Sequence, residues 1–384
     1  MIVKSNMRKA GLYIHIPFCV RKCNYCDFYS LGCGSASSIS EYIDALCTQI
    51  EREAEQYKGV IIDTIFLGGG TPSLLSPDEF LRLCGCIRAN FELSSKLELT
   101  IEANPDTITR ERLIAWRKGG VSRLSIGLQS ADDEELRMLG RIHSYEGFER
   151  AYRLARELGF DNISIDLMYA LPNQTTQGLE KSLERVCSLS PEHISAYCLK
   201  IEPSTPFSKM DLSLPDEDTQ YEMYMMLCDY LSSHGYEQYE ISNFSKNGRR
   251  CMHNLKYWLR EEYIGLGPSA HSFFDGIRYS YAPSLDGYLS SINAGKMPEC
   301  ILEDTHEPDE NEREDEYVML RLRLSDGVDA LEFEREFGKD LFSRYDFDKF
   351  IKSGHMKRTG SKIAFTQKGF FVSNYILSSI LEYI

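Results

Sequence analysis

From Gly11 to about residue 200 the chain alternates short β-rich runs with amphipathic helical stretches, and this alternation constrains its fold more than any other feature. Gly11–Ile16 (GLYIHI) reads as a strand, Ile39–Tyr57 as a helix, and Thr64–Leu67 as a strand running into Gly68, Gly69, Gly70, Thr71 and Pro72. Ser76, Pro77 and Glu79 open the next helix as N-cap, first helical proline and N3 glutamate. Leu97–Ala103, Arg123–Gly127, Asn162–Met168 and His193–Leu199 read as further strands, with helices at Thr109–Lys118, Ser144–Leu158 and Thr176–Ser188. Six β/α units in succession imply parallel strands with covering helices, because parallel neighbours need crossover connections. An open doubly wound sheet shares that alternation, but it concentrates its site at one switch point. Here the unusual residues sit just past strands one, two and four, at the end of strand three and within strand five. A barrel collects its site from many strand ends at one face. The reading is α/β: a partial, TIM-like (β/α)6 barrel over residues 1–200.

After residue 200 the alternation stops. Pro203, Pro206 and Pro215 lead into a long helix at about Asp216–His234, and a region rich in Gly, Tyr and polar residues extends the barrel over 201–302. The acidic run Glu303–Glu316 reads as a linker. The remainder, 303–384, is a smaller, mainly helical C-terminal domain with a short hairpin near Gly360 and a final helix starting near Thr366, a winged-helix-like pattern. For that appendage, packing against the barrel is favoured over nucleic-acid binding, since 43 Lys+Arg stand against 58 Asp+Glu, a net charge of −15. With 42% hydrophobic residues the chain has enough for a core, which excludes wholesale disorder. No apolar run approaches the roughly 20 residues of a membrane span, and no signal peptide is evident at Met1–Gly11. The expectation is a soluble cytoplasmic protein without nucleic-acid partners.

Twelve cysteines in such a chain read as thiols. Cys33, Cys47, Cys84, Cys86, Cys187, Cys198, Cys228, Cys251 and Cys300 are scattered and read as small buried hydrophobes. Cys19, Cys23 and Cys26 differ, forming a Cys-x3-Cys-x2-Cys loop after strand one. A structural zinc site wants four closed ligands, and a fourth would have to come from elsewhere, such as Cys33. Three thiolates alone suit a 4Fe–4S cluster that keeps one iron open. Gly68, Gly69, Gly70 and Thr71 offer backbone N–H groups to a carboxylate- or amine-bearing ligand, though a plain β–α turn shares that position. Glu102, Gln129 and Asp166 are polar at otherwise apolar strand ends, and together favour a ligand with ribose hydroxyls and an amino-acid head. Arg141 is ambiguous by itself.

The cysteine spacing, with Tyr25 before the last cysteine, resembles the radical S-adenosylmethionine (SAM) superfamily. At the level of longer strings, LYIHIPFCVRKCNYCDF, FLGGGTPSLL, IEANPDT, RLSIGLQS, ISIDLMYALPNQT and YIGLGPSAHSF resemble the family of oxygen-independent coproporphyrinogen III oxidase and its relatives, over nearly the whole chain. The resemblance implies that Cys19, Cys23 and Cys26 ligate the cluster and that its open iron chelates the methionine moiety of SAM. It implies that Tyr13 and Tyr25 flank SAM, that Gly69, Gly70 and Thr71 meet its methionine end or a second SAM, and that Glu102, Gln129, Arg141 and Asp166 line the cofactor pocket.

Two departures from the oxidase point within the family to its heme-chaperone branch, HemW. Phe28 stands where the oxidase motif continues with a further cysteine, and no long extension precedes Cys19. The string His253-Asn254-Leu255-Lys256-Tyr257-Trp258 matches the H-N-x-x-Y-W string of that branch, which implies heme binding through His253. Tyr257 and Trp258 would offer flat faces to a macrocycle, and Arg249, Arg250 and Lys256 would neutralise its propionates. Read without the resemblance, His253 is a satisfied structural histidine and Trp258 a core residue. His271 is a second candidate ligand, or else a buried, hydrogen-bonded histidine. The branch implies heme and recipient hemoproteins as partners, and is compatible with a heme donor protein and with peripheral membrane association through a partner. The alternative is a radical SAM enzyme of the oxidase type acting on a tetrapyrrole.

Overall fold

The computed structural model describes residues 8–32, 36–298, 300–301 and 309–381. Cys33 and the first part of the acidic run, 303–308, lie outside the described residues, as does the side chain of Cys300. The chain divides into two compact units that interleave in sequence. One comprises 1–167, 200–212 and 261–306, the other 168–199, 213–260 and 307–384.

The first unit is built on parallel strands β1 (Lys9–Ile16), β2 (Ile61–Gly69), β3 (Glu92–Ala103), β4 (Arg123–Gln129) and β5 (Ile163–Tyr169), paired in that order. Apolar runs buried on both faces make such strands. Leu12, Ile14, Ile16, Ile65, Leu67, Leu99, Ile101, Leu124, Ile126 and Ile165 are all buried. Helices Ala36–Glu53, Pro77–Asn90, Arg110–Lys118 and Tyr145–Glu157 alternate with the strands, as their periodicity predicts, with an additional short helix at Asp133–Met138. Ser76 caps its helix with a reciprocal bond set: its side chain accepts from Glu79 N–H, and Glu79 accepts from Ser76 N–H. On the outer side of β1 a further parallel strand, Tyr263–Leu266, is hydrogen-bonded. Antiparallel strands His271–Phe274, Ile277–Tyr281 and Cys300–Ile301 follow it. The mixed α/β fold with a central parallel sheet therefore stands.

The sixth expected strand, His193–Cys198, follows β5 in the sheet order, and on its other side it pairs antiparallel with Asn243–Ser245. Tyr263–Leu266, parallel to β1, comes from a segment that shows no β/α alternation. A local pattern announces a strand, but its partner is chosen by tertiary packing.

The second unit carries helices Thr176–Ser188 and Glu217–Ser233, the short helix Met252–Trp258, and the C-terminal helices from Glu310 onward. The acidic run is in part helical rather than linker: Asp309 caps Glu310–Leu322 through a box with Glu312. The hairpin Met356–Thr359/Lys362–Phe365 turns at Gly360, and Thr366 caps the following helix. Val328–Asp329 completes a three-stranded sheet. Among the described residues no helix is long and apolar enough to cross a membrane.

Candidate functional site

Parallel pairing brings the C-terminal ends of β1 to β5 to one side of the sheet. There β1 leads into the cysteine loop, β2 into Gly70 and Thr71, β3 into Asn104 and β4 into Gln129, while β5 carries Asp166. All five contributions belong to the first unit.

Cys19 is buried, Cys23 and Cys26 are half-buried, and all three are free thiols. Burial pushes the Cys26 thiol up to about 11, with the neighbouring Cys23 and Cys19 adding to the rise. Thr71 Oγ1 donates to Cys19 Sγ at 3.4 Å, and Arg141 Nη1 donates to Cys23 Sγ at 3.5 Å. Tyr25 is held far above the usual phenol range, first by burial; Arg141 opposes this, and Cys23 and Cys26 add to it. Among the described residues no three His, Cys, Asp or Glu side chains crowd closely enough for one metal ion. A 4Fe–4S cluster asks for a different arrangement, one thiolate on each of three irons, and donors to the sulfurs suit it. The residues present fit that group.

The carboxylates stand on β3 and β5. Glu102 is pushed up to about 8, chiefly by burial and then by the charge of Asp166, with the Gly69 N–H and Arg123 opposing. Asp166 accepts from Ser125 Oγ at 3.2 Å and from Ser164 Oγ at 3.3 Å. Tyr13 stacks on Phe66 with ring centroids 6.3 Å apart, and its hydroxyl shares a 3.2 Å hydrogen bond with His15 Nδ1. Gln129 adopts φ 72° at a register shift between β4 and β5. A Cβ on Gly127 would lie 2.9 Å from Gln129 Nε2, 3.3 Å from Arg141 Nη2 and 3.6 Å from Asn104 Oδ1, so these three side chains close over the glycine.

The glycine-rich turn differs from expectation in what its N–H groups do. Gly69 N–H donates to Glu102 Oε2 at 3.2 Å, Gly70 N–H to Ile16 O at 2.9 Å and Thr71 N–H to Phe18 O at 2.7 Å. These donors tie the turn to β3 and to the cysteine loop. The glycines are needed for close approach: a Cβ on Gly70 would sit 2.6 Å from Phe18 O.

Two residues of this site were not picked out by the sequence pattern. Asn104 links Thr71 and Arg141, and its signal was a polar residue directly after a strand, inside the string IEANPDT. His15, beneath Gly69, is a buried polar residue in an apolar strand. Its Nε2 shares a 2.9 Å hydrogen bond with Tyr29 O, and burial lowers its pKa to about 4.

His253 lies in the second unit. It is 0% exposed, and Nε2 shares a 2.9 Å hydrogen bond with the Tyr257 hydroxyl. Spacing of four on the helix Met252–Trp258 puts the two rings on one face, with His253 buried and Tyr257 half-buried. Lys256 is buried too, Arg249 is exposed, and Arg250 lies 3.9 Å from Asp326. Trp258 packs with Leu259 against Tyr239, Leu255 and Leu324. His271 is exposed rather than buried, and so is Cys198 among the scattered cysteines.

A cysteine loop, a glycine turn and carboxylates set at the ends of parallel strands define a protein of the radical SAM superfamily, whose profile matches residues 13–186. The HemN C-terminal domain profile matches residues 309–372. Heme chaperone HemW of Bacillus subtilis (strain 168) is 36% identical over 96% of this chain and 98% of its own length. Heme chaperone HemW of Escherichia coli (strain K12) is 35% identical over 97% of both chains. The chain belongs to the HemW heme-chaperone family. The solved structure of coproporphyrinogen III oxidase (HemN) from Escherichia coli shares the fold, with a TM-score of 0.84 at 24% identity, over 98% of this chain and 91% of that one.

Proposed function

We propose that this chain binds a 4Fe–4S cluster through Cys19, Cys23 and Cys26, binds SAM beside it, and binds heme for delivery to recipient hemoproteins. The observation that carries the cofactor part is that two of the three thiols on one loop receive bonds, from Thr71 and Arg141. A bound cluster supplies a low-potential electron and an open iron for the amino-acid end of SAM. This chain's residues would hold SAM from several sides: Tyr13 and Tyr25 with their rings, Gly69, Gly70 and Thr71 at the methionine end, and Glu102, Gln129, Arg141 and Asp166 with polar groups. Glu102, with a pKa near 8, can offer a proton or a lone pair near neutral pH.

The heme part is supported by the names of the family's members and by the His253–Trp258 segment. With His253 buried, ligation through its Nε2 requires the Tyr257 bond to be given up. A heme donor, a recipient and peripheral membrane association through a partner belong to this same reading, in a cytoplasmic setting.

The test is anaerobic reconstitution followed by separate additions of SAM and heme. About four irons per chain and a Soret band are expected. His253→Ala should change the Soret band and leave the iron content intact. A reconstituted chain that shows no Soret band with heme would overturn the chaperone reading.

A further inference from the structure

We propose that Asn104 is a positioning residue for the cluster, whose amide orients Thr71 and Arg141 as donors to the sulfurs of Cys19 and Cys23 and so raises the reduction potential of the centre. The inference rests on the reading that these cysteines carry a 4Fe–4S cluster.

Asn104 follows β3 directly and is held in place by its backbone. Its N–H donates to Ser73 Oγ at 3.1 Å, and its carbonyl accepts from Thr107 N–H at 3.0 Å and Thr107 Oγ1 at 2.7 Å. Pro105 restricts it to extended conformations, and it has φ −88° and ψ 138°. None of these bonds uses its side chain, so the amide is free for another task.

The amide reaches both neighbours. Arg141 Nη2 donates to Asn104 Oδ1 at 2.6 Å, and Asn104 Nδ2 donates to Thr71 Oγ1 at 3.0 Å. The order is fixed by chemistry, because a guanidinium only donates, so the amide oxygen must face it and the amide nitrogen must face threonine. Thr71 Oγ1 accepts that bond, which leaves its one hydroxyl proton for Cys19 Sγ at 3.4 Å. Thr71 is 1% exposed, so water does not compete for the proton. On the other side, Arg141 Nη2 also donates to Gly127 O at 2.7 Å, which leaves Nη1 for Cys23 Sγ at 3.5 Å. One neutral side chain thus sets the direction of both donors.

Donors to cluster sulfurs draw charge from them and favour the reduced, more negative state. Without Asn104, the Thr71 hydroxyl can turn away from Cys19, and the Arg141 fork loses one of its three acceptors.

The test is a redox titration, monitored by electron paramagnetic resonance, of anaerobically reconstituted full-length chain. Wild type, Asn104→Ala, Asn104→Asp, Thr71→Val and the double variant Asn104→Ala/Thr71→Val are compared, with iron counted in each. At the wild-type midpoint, the reduced-to-oxidised ratio in Asn104→Ala should fall about tenfold, or about 59 mV for one electron. Asn104→Asp keeps the size and the acceptor for Arg141 but loses the donor to Thr71, and should shift the same way. The double variant should shift by less than the sum of the singles, because Asn104 acts in part through Thr71. Unshifted potentials in Asn104→Ala and Asn104→Asp at full iron content would overturn the proposal. So would loss of iron in both variants with an unshifted potential in the clusters that remain, since that is a purely structural effect. A wild-type chain that takes up no iron would instead overturn the cluster reading itself, and is told apart by the iron count.

Discussion

Gly69 and His15 approach so closely that the glycine has no room for a side chain: a Cβ there would lie 2.5 Å from the imidazole Cε1. The imidazole is held from both ends, by the Tyr13 hydroxyl and by Tyr29 O, so it has little freedom to retreat. Gly69 also has φ 104°, a conformation L side chains rarely adopt.

Gly69→Ala should therefore destabilise the chain by about 2 kcal/mol or more, from backbone strain plus overpacking. Gly59→Ala is the control, because Gly59 has φ 82° but nothing within 4 Å of its Cβ position. It should lose only the backbone part, about 1–2 kcal/mol. Urea midpoints of the two variants make the comparison, and equal losses would show that His15 yields without cost.

Cys23→Ala should lose most of the iron taken up on anaerobic reconstitution, while Cys84→Ala keeps it. Cys84 is buried on the helix Pro77–Asn90, where it packs as a small apolar group. Full iron in Cys23→Ala, or zinc alone in the wild type, would remove the cluster assignment.

Burial lowers the His253 pKa from 6.5 to about 3, with Lys256 adding to the effect. Above pH 6.5 neither folded nor unfolded chain holds this proton. As pH falls from about 6.5 toward 3, the unfolded chain binds a proton that the folded one refuses, so stability falls. For this group alone the loss between pH 7 and pH 5 is about 2 kcal/mol. Glu102 and Glu240, whose pKa values burial raises to about 8 and about 7, work in the opposite sense, being relieved on acidification. The measurement is therefore a difference between chains. His253→Gln should lose about 2 kcal/mol less than wild type from pH 7 to pH 5 in urea titrations. Identical pH dependence would mean that His253 is accessible to protons in the folded state.

Conversion of coproporphyrinogen III to protoporphyrinogen IX should not proceed through many turnovers when SAM, a reductant and an electron acceptor are supplied anaerobically. Phe28, where the oxidase motif has a further cysteine, is 70% exposed just after the cysteine loop. Chromatography of the porphyrins decides, and steady product formation would favour an oxidase-type enzyme.

Local pattern carried much of this structure. The strands β1 to β5, the capping box at Ser76, the hairpin at Gly360 and the cap at Thr366 are each written in a few adjacent residues, because period, capping chemistry and turn conformation are short-range properties. The cysteine triad was legible for the same reason, since three thiols on one loop need no distant partner to be seen together.

What long-range pairing decided lies elsewhere. Tyr263–Leu266 pairs in parallel with β1 on the side away from β2, because pairing joins residues some 250 positions apart on which a local period is silent. The N–H groups of Gly69, Gly70 and Thr71 turn inward to Glu102, Ile16 and Phe18, partners that only the register of β1, β2 and β3 supplies. His253 is buried by the packing of its helix face. Asn104 meets Thr71 across 33 residues of chain and Arg141 across 37. The amino-acid sequence by itself thus determined which elements form and which residue types gather near the strand ends. Which donor faces which acceptor was decided only by tertiary structure, because a hydrogen bond depends on direction and distance that no sequence spacing encodes.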